Sequence, residues 1–415
     1  MKILVTGGPV HAKLDAVKFV TNRFKGGLMA KLAYELVHLK EGVEVVYLCS
    51  KGSKKPPTTT LMAPGGVIQG SVETVYHDGF HDYREKVMEL APDFDAVVLG
   101  AAVANLIPVR YLKSATTMRP AVSSAHLDVE AIAFKGAVPM PLEGKFPSHD
   151  YKPGDSIYME WQIAPRIIDE VKAHMKKGAH LFGFKLLSGV SKEELVTAAY
   201  DIVLESKATM MFANDAKDLA VVYGVGKDRS AREILREGWL AEEIVKMVSD
   251  EYYRTEKRRG TVDATYWLKL QELAEQFKLN FPESQNGMVF GTIAANVGSS
   301  GFVTTGRGKR ELAEIAFVEE VDHLNRVVYT RGDKKATLNA PLIDHIFKSV
   351  PGAKYVVHYH APEEGLPNLK WAPPGTMRDS IRKVNGSFNI SDHGAFLVFD
   401  DNRKKKRMII EGKLV

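Results

Sequence analysis

Lys354-Tyr-Val-Val-His358-Tyr-His360 places two imidazoles two residues apart in an apolar, β-branched run. Such a run predicts a strand, and residues i and i+2 of a strand project from one face. Two imidazoles on one face can share a divalent ion, and Ser391-Asp392-His393-Gly394 offers a third. Three histidines with an open fourth position suit Zn²⁺ or another divalent transition metal, whereas Mg²⁺ prefers oxygen ligands. A bare pair of histidines at this spacing also arises incidentally, so its surroundings decide. A different chemistry opens the chain. Thr6-Gly7-Gly8-Pro9 closes the apolar run 3–6. Glycines there let backbone N–H groups turn inward and hold an anion at the carboxyl edge of a sheet, although a tight turn alone would use them too. Residues 20–27, Val-Thr-Asn22-Arg-Phe-Lys-Gly-Gly, put an amide, two cations and two glycines before a helical pattern. A helix N-terminus with cations beside it favours phosphate or carboxylate; a polar surface loop is the alternative.

The elements that must position these residues follow from periodicity. Apolar runs at 3–6, 43–48, 96–99, 180–185 and 210–213 read as buried strands. Helical patterns separate them: Leu28, Leu32 and Leu36 with Gly42 as a C-cap, Ile167-Ile168-Val171, and residues 195–204. Alternating strands and helices predict an α/β, Rossmann-like parallel sheet in residues 1–255. Residues 254–260, R-T-E-K-R-R-G, are charged and predict a linker. A helix over 262–279 and close-spaced strands near Val289, Phe302, Phe317, Val328 and Val356 then predict an α+β domain over 262–415 with a largely antiparallel sheet. Residues 112–143 lack periodicity and read as a functional cover or an insertion. The run 403–407, R-K-K-K-R, reads as a solvated hairpin turn between paired strands.

Composition narrows the function classes. The 415 residues are 45% apolar and 26% charged, ordinary globular usage that excludes collagen-like, coiled-coil and disordered chains. A formal charge of +5 is too small to demand nucleic acid, and an anionic small molecule accounts for it. Without a membrane-length apolar run, a signal-peptide pattern or more than one cysteine, Cys49, the expectation is a cytoplasmic protein with no membrane partner.

Five short stretches of the first half, in order, resemble phosphopantothenoylcysteine synthetase (phosphopantothenate–cysteine ligase). They are 3–9 running into 17–23, Gly100-Ala-Ala-Val-Ala-Asn105, Gly144-Lys145-Phe-Pro-Ser148, the 183–191 strand end and Phe212-Ala-Asn214-Asp215. That resemblance implies a carboxylate activated by CTP or ATP with Mg²⁺ as an acyl-nucleotide, then attacked by the cysteine amine. It implies that Gly7, Gly8, Ala102, Lys185 and Asn214 bind nucleotide, Asn22 the pantothenate part, and Lys145 the acyl intermediate. By residue type alone Lys145 is a solvated loop lysine. Two departures stand out: Phe24-Lys25-Gly26-Gly27 replaces the family's Ser-Ser-Gly, and Asn105 replaces an aspartate.

The second half resembles the class II aldolase/adducin family through Gly301-Phe-Val-Thr-Thr305-Gly306, Asn339-Ala-Pro-Leu, the 346–360 segment, Ala372-Pro-Pro-Gly-Thr376 and Asp392-His-Gly. The likeness implies His358, His360 and His393 as metal ligands, and Thr305 and Gly306 in a phosphate pocket. Asn339 stands where that family has its acid/base glutamate, and Thr292 where it has a phosphate-loop asparagine. An asparagine cannot transfer protons. The expected function is a phosphopantothenate–cysteine ligase-like enzyme of coenzyme A biosynthesis fused to a class II aldolase-like domain, a homo-oligomer taking phosphorylated small molecules and nucleotide. The alternatives are a metal-dependent sugar-phosphate aldolase, epimerase or dehydratase whose first half only binds nucleotide, and a catalytically decayed interaction or regulatory protein.

Overall fold

The computed structural model describes residues 1–57, 62–63, 66–67, 72–114, 134–154, 157–235, 239–283, 287–401 and 407–414. The chain divides into two compact units. The first holds Met1–Ser188, Asp201–Ala220 and Leu235–Val248; the second holds Gly189–Tyr200, Val221–Ile234 and Ser249–Val415. Among the described residues no helix is long and apolar enough to cross a membrane.

The first unit is organised by parallel strands in the order Met210–Asp215, His180–Leu187, Ala96–Leu99, Lys2–Gly7, Glu44–Ser50 and Val72–His77. All five strands expected from apolar runs are present. Val72–His77 was not anticipated, because Glu73, Thr74 and His77 break its apolar run. The chain builds outward in one direction from Lys2–Gly7, then returns to its other side at Ala96–Leu99. That reversal makes a topological switch point, where the loops leaving two adjacent carboxyl ends diverge. The helix Gly27–Leu39 buries Met29, Leu32, Ala33, Leu36 and Val37, a single stripe at helical spacing. It ends at Leu39, three residues before the glycine expected to cap it; Gly42 follows at φ +76°.

The stretch without periodicity is flanked by regular structure. Leu106–Ser114 lies antiparallel between Phe134–Pro139 and Tyr158–Ile163, so its ends are strands rather than cover, and residues 115–133 lie outside the described residues. Of the basic run 403–407, residues 403–406 also lie outside them. Phe399 bridges Met408 antiparallel, as a hairpin there requires.

In the second unit a nine-stranded sheet runs Arg254–Lys257, Val327–Arg331, Ile315–Asp322, Phe302–Thr305, Thr292–Asn296, Tyr355–Tyr359, Gly394–Phe399, Phe388–Ile390 and Asn368–Leu369. It is antiparallel except at its two outer pairs. The segment read as a linker is thus an edge strand in its first four residues. It pairs in parallel with Val327–Arg331, and Arg258 beyond it reaches Glu319 and Glu320. Period-2 alternation divides the core. Val356, Phe396 and Val398 face the helix Ala340–Ser349, while Val357, Leu397 and Phe399 face the helix Trp267–Gln276. Each such buried side chain contributes about 1.5–3 kcal/mol.

Gly26 ends the loop before the first helix at φ +78°, and a Cβ there would lie 2.4 Å from Gly8 N and 2.6 Å from Gly8 Cα. At Gly27 a Cβ would meet only the Lys54 side chain, at 3.4 Å. Gly26→Ala is therefore expected to cost about 1–3 kcal/mol, while Gly27→Ala is neutral or stabilising by a few tenths. Urea melts of both variants check this; equal midpoints would mean that the Gly8 turn yields freely.

Candidate functional site

The Tyr355–Tyr359 strand carries His358 at its penultimate residue, and His360 follows on the same face. His393 precedes Gly394, whose φ of +127° and missing Cβ let this turn come against Tyr359 O; a Cβ would lie 2.0 Å away. Ligand nitrogens of His358, His360 and His393 all lie within 4.8 Å of one another, with ring centroids 4.6–5.2 Å apart. His358 Nδ1–H donates to Ala395 O at 2.9 Å, which leaves its Nε2 as a bare acceptor. That Nε2, His360 Nδ1 and His393 Nε2 are buried without hydrogen-bond partners. Burial, reinforced by the neighbouring imidazoles, pushes His358 well below the usual imidazole range and His360 down to about 3. Neutral imidazoles with free, convergent lone pairs fit a divalent transition ion. A cavity of about 630 Å³ opens beside His360 and His393, with Lys192, Arg229, Asn389 and Ser391 on its wall.

Thr305 and Gly306 have other engagements. Thr305 is fully buried and its Oγ1 accepts from Ile293 N at 3.2 Å; Gly306 N donates to Glu314 O at 2.7 Å. The cations just beyond them escaped the sequence reading. Lys309 is buried with its Nζ on Gly291 O, and Arg307 donates to Ala336 O at 3.2 Å. Burial lowers Lys309 to about 8. The only signal was a Gly-Arg-Gly-Lys run after a strand. Asn339 caps the helix Ala340–Ser349, buried, with its Oδ1 unpartnered. Asp344 instead pairs with His323 and Lys348, and His345 bonds Arg382 O, so neither joins the cluster.

In the first unit, four adjacent strands end side by side. Gly7 closes Lys2–Gly7, and Gly8 follows at φ +76°. Gly8 O accepts from Ala102 N at 2.9 Å, and Asn22 Nδ2 donates to Ala102 O and Val103 O at 3.1 and 3.0 Å. The switch point thus joins Gly7, Gly8, Asn22 and Ala102. Lys185, half-buried, and Asn214, buried, lie near the ends of the next two strands, where Leu186 is level with Asn214. Lys145 stands on a separate loop and is exposed. That loop is tied to the buried Asp15, whose Oδ2 accepts from Phe146 N at 2.9 Å and whose Oδ1 accepts from Val17 N and Lys18 N. These backbone donors, Phe146 first, hold the Asp15 carboxyl far below the usual carboxylate range. Beside Asn22 lies a cavity of about 730 Å³ lined by Arg23, Lys25, Lys51 and Lys86 on one side of the charge balance, and Asp78 and Asp82 on the other.

Residues 1–114 match the DNA/pantothenate metabolism flavoprotein C-terminal domain family model, less than a third of the chain. Over 258 residues the chain is 24% identical to the coenzyme A biosynthesis bifunctional protein CoaBC of Thermococcus kodakarensis, an alignment covering 60% of this chain and 51% of that protein. The chain therefore spans about half the length of this curated relative. The solved DNA/pantothenate metabolism flavoprotein from Streptococcus pneumoniae superposes at a TM-score of 0.44 and 20% identity, over 60% of this chain and 98% of its own. The l-fuculose-1-phosphate aldolase from Thermus thermophilus does so at 0.24 and 15%, over 34% of this chain and 82% of its own. The sequence likeness is thus to proteins of coenzyme A biosynthesis, and it lies in the first part of the chain.

Proposed function

We propose that residues 1–255 form a nucleotide-dependent carboxylate–amine ligase site of the phosphopantothenate–cysteine type. The observation that carries this reading is the gathering of Gly7, Gly8, Asn22 and Ala102 at the switch point, inside the segment that matches the pantothenate-metabolism family. Backbone N–H groups there cradle phosphates, and Lys185 adds a cation one strand beyond Ala96–Leu99. The substrate carboxylate attacks the α-phosphorus and pyrophosphate leaves. The cysteine amine then attacks the acyl carbon and expels the nucleoside monophosphate. Mg²⁺, when bound, would neutralise charge on the departing phosphates, and Lys145 would supply the cation for the oxyanion that develops. Asn105 in place of an aspartate withdraws one charge from this site.

In this reading residues 262–415 bind one divalent transition metal through His358, His360 and His393 and take a phosphorylated small molecule. The metal would polarise a carbonyl. The favouring observation is the convergence of three imidazoles, each with a buried nitrogen that has no hydrogen-bond partner. The buried Lys309 and the exposed Arg307 supply positive charge for an anionic group. With Asn339 where a proton-transfer group is needed, aldol cleavage is weak or absent.

Three measurements test these readings. A nucleoside triphosphate with Mg²⁺ should raise the melting temperature of the whole protein, by the equivalent of about 2.7 kcal/mol at a hundred times its dissociation constant. Lys145→Gln should lower amide formation about 10²–10³-fold and leave that shift in place. No shift with any of the four nucleotides would refute the ligase reading.

Elemental analysis should find about one transition metal per chain, lost in His358→Ala. Protein that stays metal-free after added Zn²⁺ would refute the metal reading.

Lys309 gives a pH signature. Below about pH 8 both folded and unfolded chains hold its proton, and the cost of burying the charge is felt in full. Between about 8 and its ordinary 10.5 the folded chain sheds the proton first, so stability rises with pH. Lys309→Met should raise the urea midpoint at pH 7 and flatten that rise. Inorganic phosphate should stabilise the wild type at pH 7 and not the variant; equal stabilisation of both would remove Lys309 from the anion site.

A further inference from the structure

Asp228 is a carboxylate from a segment far from the histidines in sequence, yet it is buried against one of them. It lies in a tight turn over residues 226–230, closed by Gly226 N on Ser230 O and Arg229 N on Gly226 O, both at 3.1 Å. Ser230 fixes one carboxylate oxygen, with its Oγ 2.7 Å and its N 3.4 Å from Asp228 Oδ1. The other oxygen, Oδ2, is 2.8 Å from His393 Nδ1, and the two side chains are only 6% and 2% exposed. The contact is close but bent, a polar pairing rather than an aligned hydrogen bond.

The turn stores strain to hold this position. Arg229 sits at φ +59°, a left-handed conformation that a non-glycine residue keeps only where its surroundings compel it. Here its guanidinium donates to Glu193 Oε1 at 2.6 Å and to Thr197 Oγ1 at 3.3 Å, and it stacks over Phe290 at 5.6 Å. A carboxylate buried this deeply is costly without a donor or cation, and His393 is the side chain facing its free oxygen. A metal-ligating imidazole commonly gives its second N–H to a carboxylate, which sets the tautomer and turns the other nitrogen to the ion.

We propose that Asp228 is the positioning residue of the three-histidine site: its Oδ2 holds the ring proton of His393 on Nδ1 and so leaves Nε2 as the ligand atom. Asp228 is not itself a ligand, since its oxygens lie outside the cluster of converging ligand atoms. The inference rests on the metal reading of the histidines, but part of its test does not need a metal.

Zn²⁺ affinity is measured by chelator competition on wild type, Asp228→Ala and Asp228→Asn. The alanine variant should bind about 10–100-fold more weakly. The asparagine variant should be at least as weak. Once its amide oxygen accepts from Ser230, its NH₂ faces His393 Nδ1 as a donor and moves the ring proton to Nε2. A packing role predicts the reverse, with the isosteric asparagine milder than alanine, and that order would overturn the proposal. Long-range ¹H–¹⁵N correlation on metal-free wild type at pH 8 should show His393 as the Nδ1–H tautomer. An Nε2–H ring would overturn the proposal even in a folded, unmodified protein. Should wild type take up no metal, the metal reading fails alone and the tautomer still decides the role of Asp228.

Discussion

Parallel pairing of Lys2–Gly7 on both its edges is the interaction on which the first unit depends. Residues 3–7 of this strand are buried, and Ile3, Leu4 and Val5 have no exposed surface. Its partners, Glu44–Ser50 and Ala96–Leu99, are distant in sequence because parallel neighbours need a crossover. The crossovers leave the two edges in opposite directions, so the carboxyl ends cannot be covered by one connection. What remains is a crevice rimmed by backbone. The rim is tight: Gly8 bonds Ala102, Asn22 bonds Ala102 and Val103, and Gly26 fits against Gly8 only because it has no side chain. A crevice at the carboxyl ends of an open parallel sheet, where the strand order reverses, is where ligands of such folds bind.

Tyr355–Tyr359 has the same central place in the second unit with the opposite topology. It is flanked by Thr292–Asn296 and Gly394–Phe399, both antiparallel. Alternation fixes which residues meet the helix Ala340–Ser349, and His358 falls in line with Val356 on that side. Its ring stacks on Phe396 at 4.1 Å, so a polar ligand is held by an apolar wall. Three imidazoles in such a place carry buried nitrogens without partners, each a cost of about 1–3 kcal/mol. Coordination would offset that cost.

The sequence made some of this readable for definite reasons. Central strands buried on both faces appear as unbroken apolar runs, which is why five of the parallel strands stood out. Val72–His77 lies at the edge and mixes polar residues into its run, and Arg254–Lys257 is an edge strand with charges on it, indistinguishable from a linker until Val327–Arg331 is seen beside it. The histidines were legible because an i, i+2 pair in a strand shares a face whatever the fold. Lys309 was not, since only tertiary packing decides that a lysine is buried. Asp228 could not be found from periodicity at all: it reaches His393 through a turn whose left-handed Arg229 leaves no mark in the residue pattern.

Charge then decides between the kinds of ligand the second unit can take. The imidazoles of His358 and His360 are held neutral, so they contribute donors but no charge. Asp228 is kept ionised despite burial by His393 and by Ser230, and the buried Asp379, pushed up to about 6 by desolvation, interacts with both His393 and Asp228. Against it stand Lys309 and Arg229, both close enough to push His360 downward, with Arg229 itself paired to Glu193. Adding a divalent ion makes the region more positive still. In the proposed reading the phosphate half of a small metabolite is the part that Lys309 is charged to hold, and Asn339, able to orient an oxygen but not to exchange a proton, leaves holding and polarising as the steps this unit's own residues can perform.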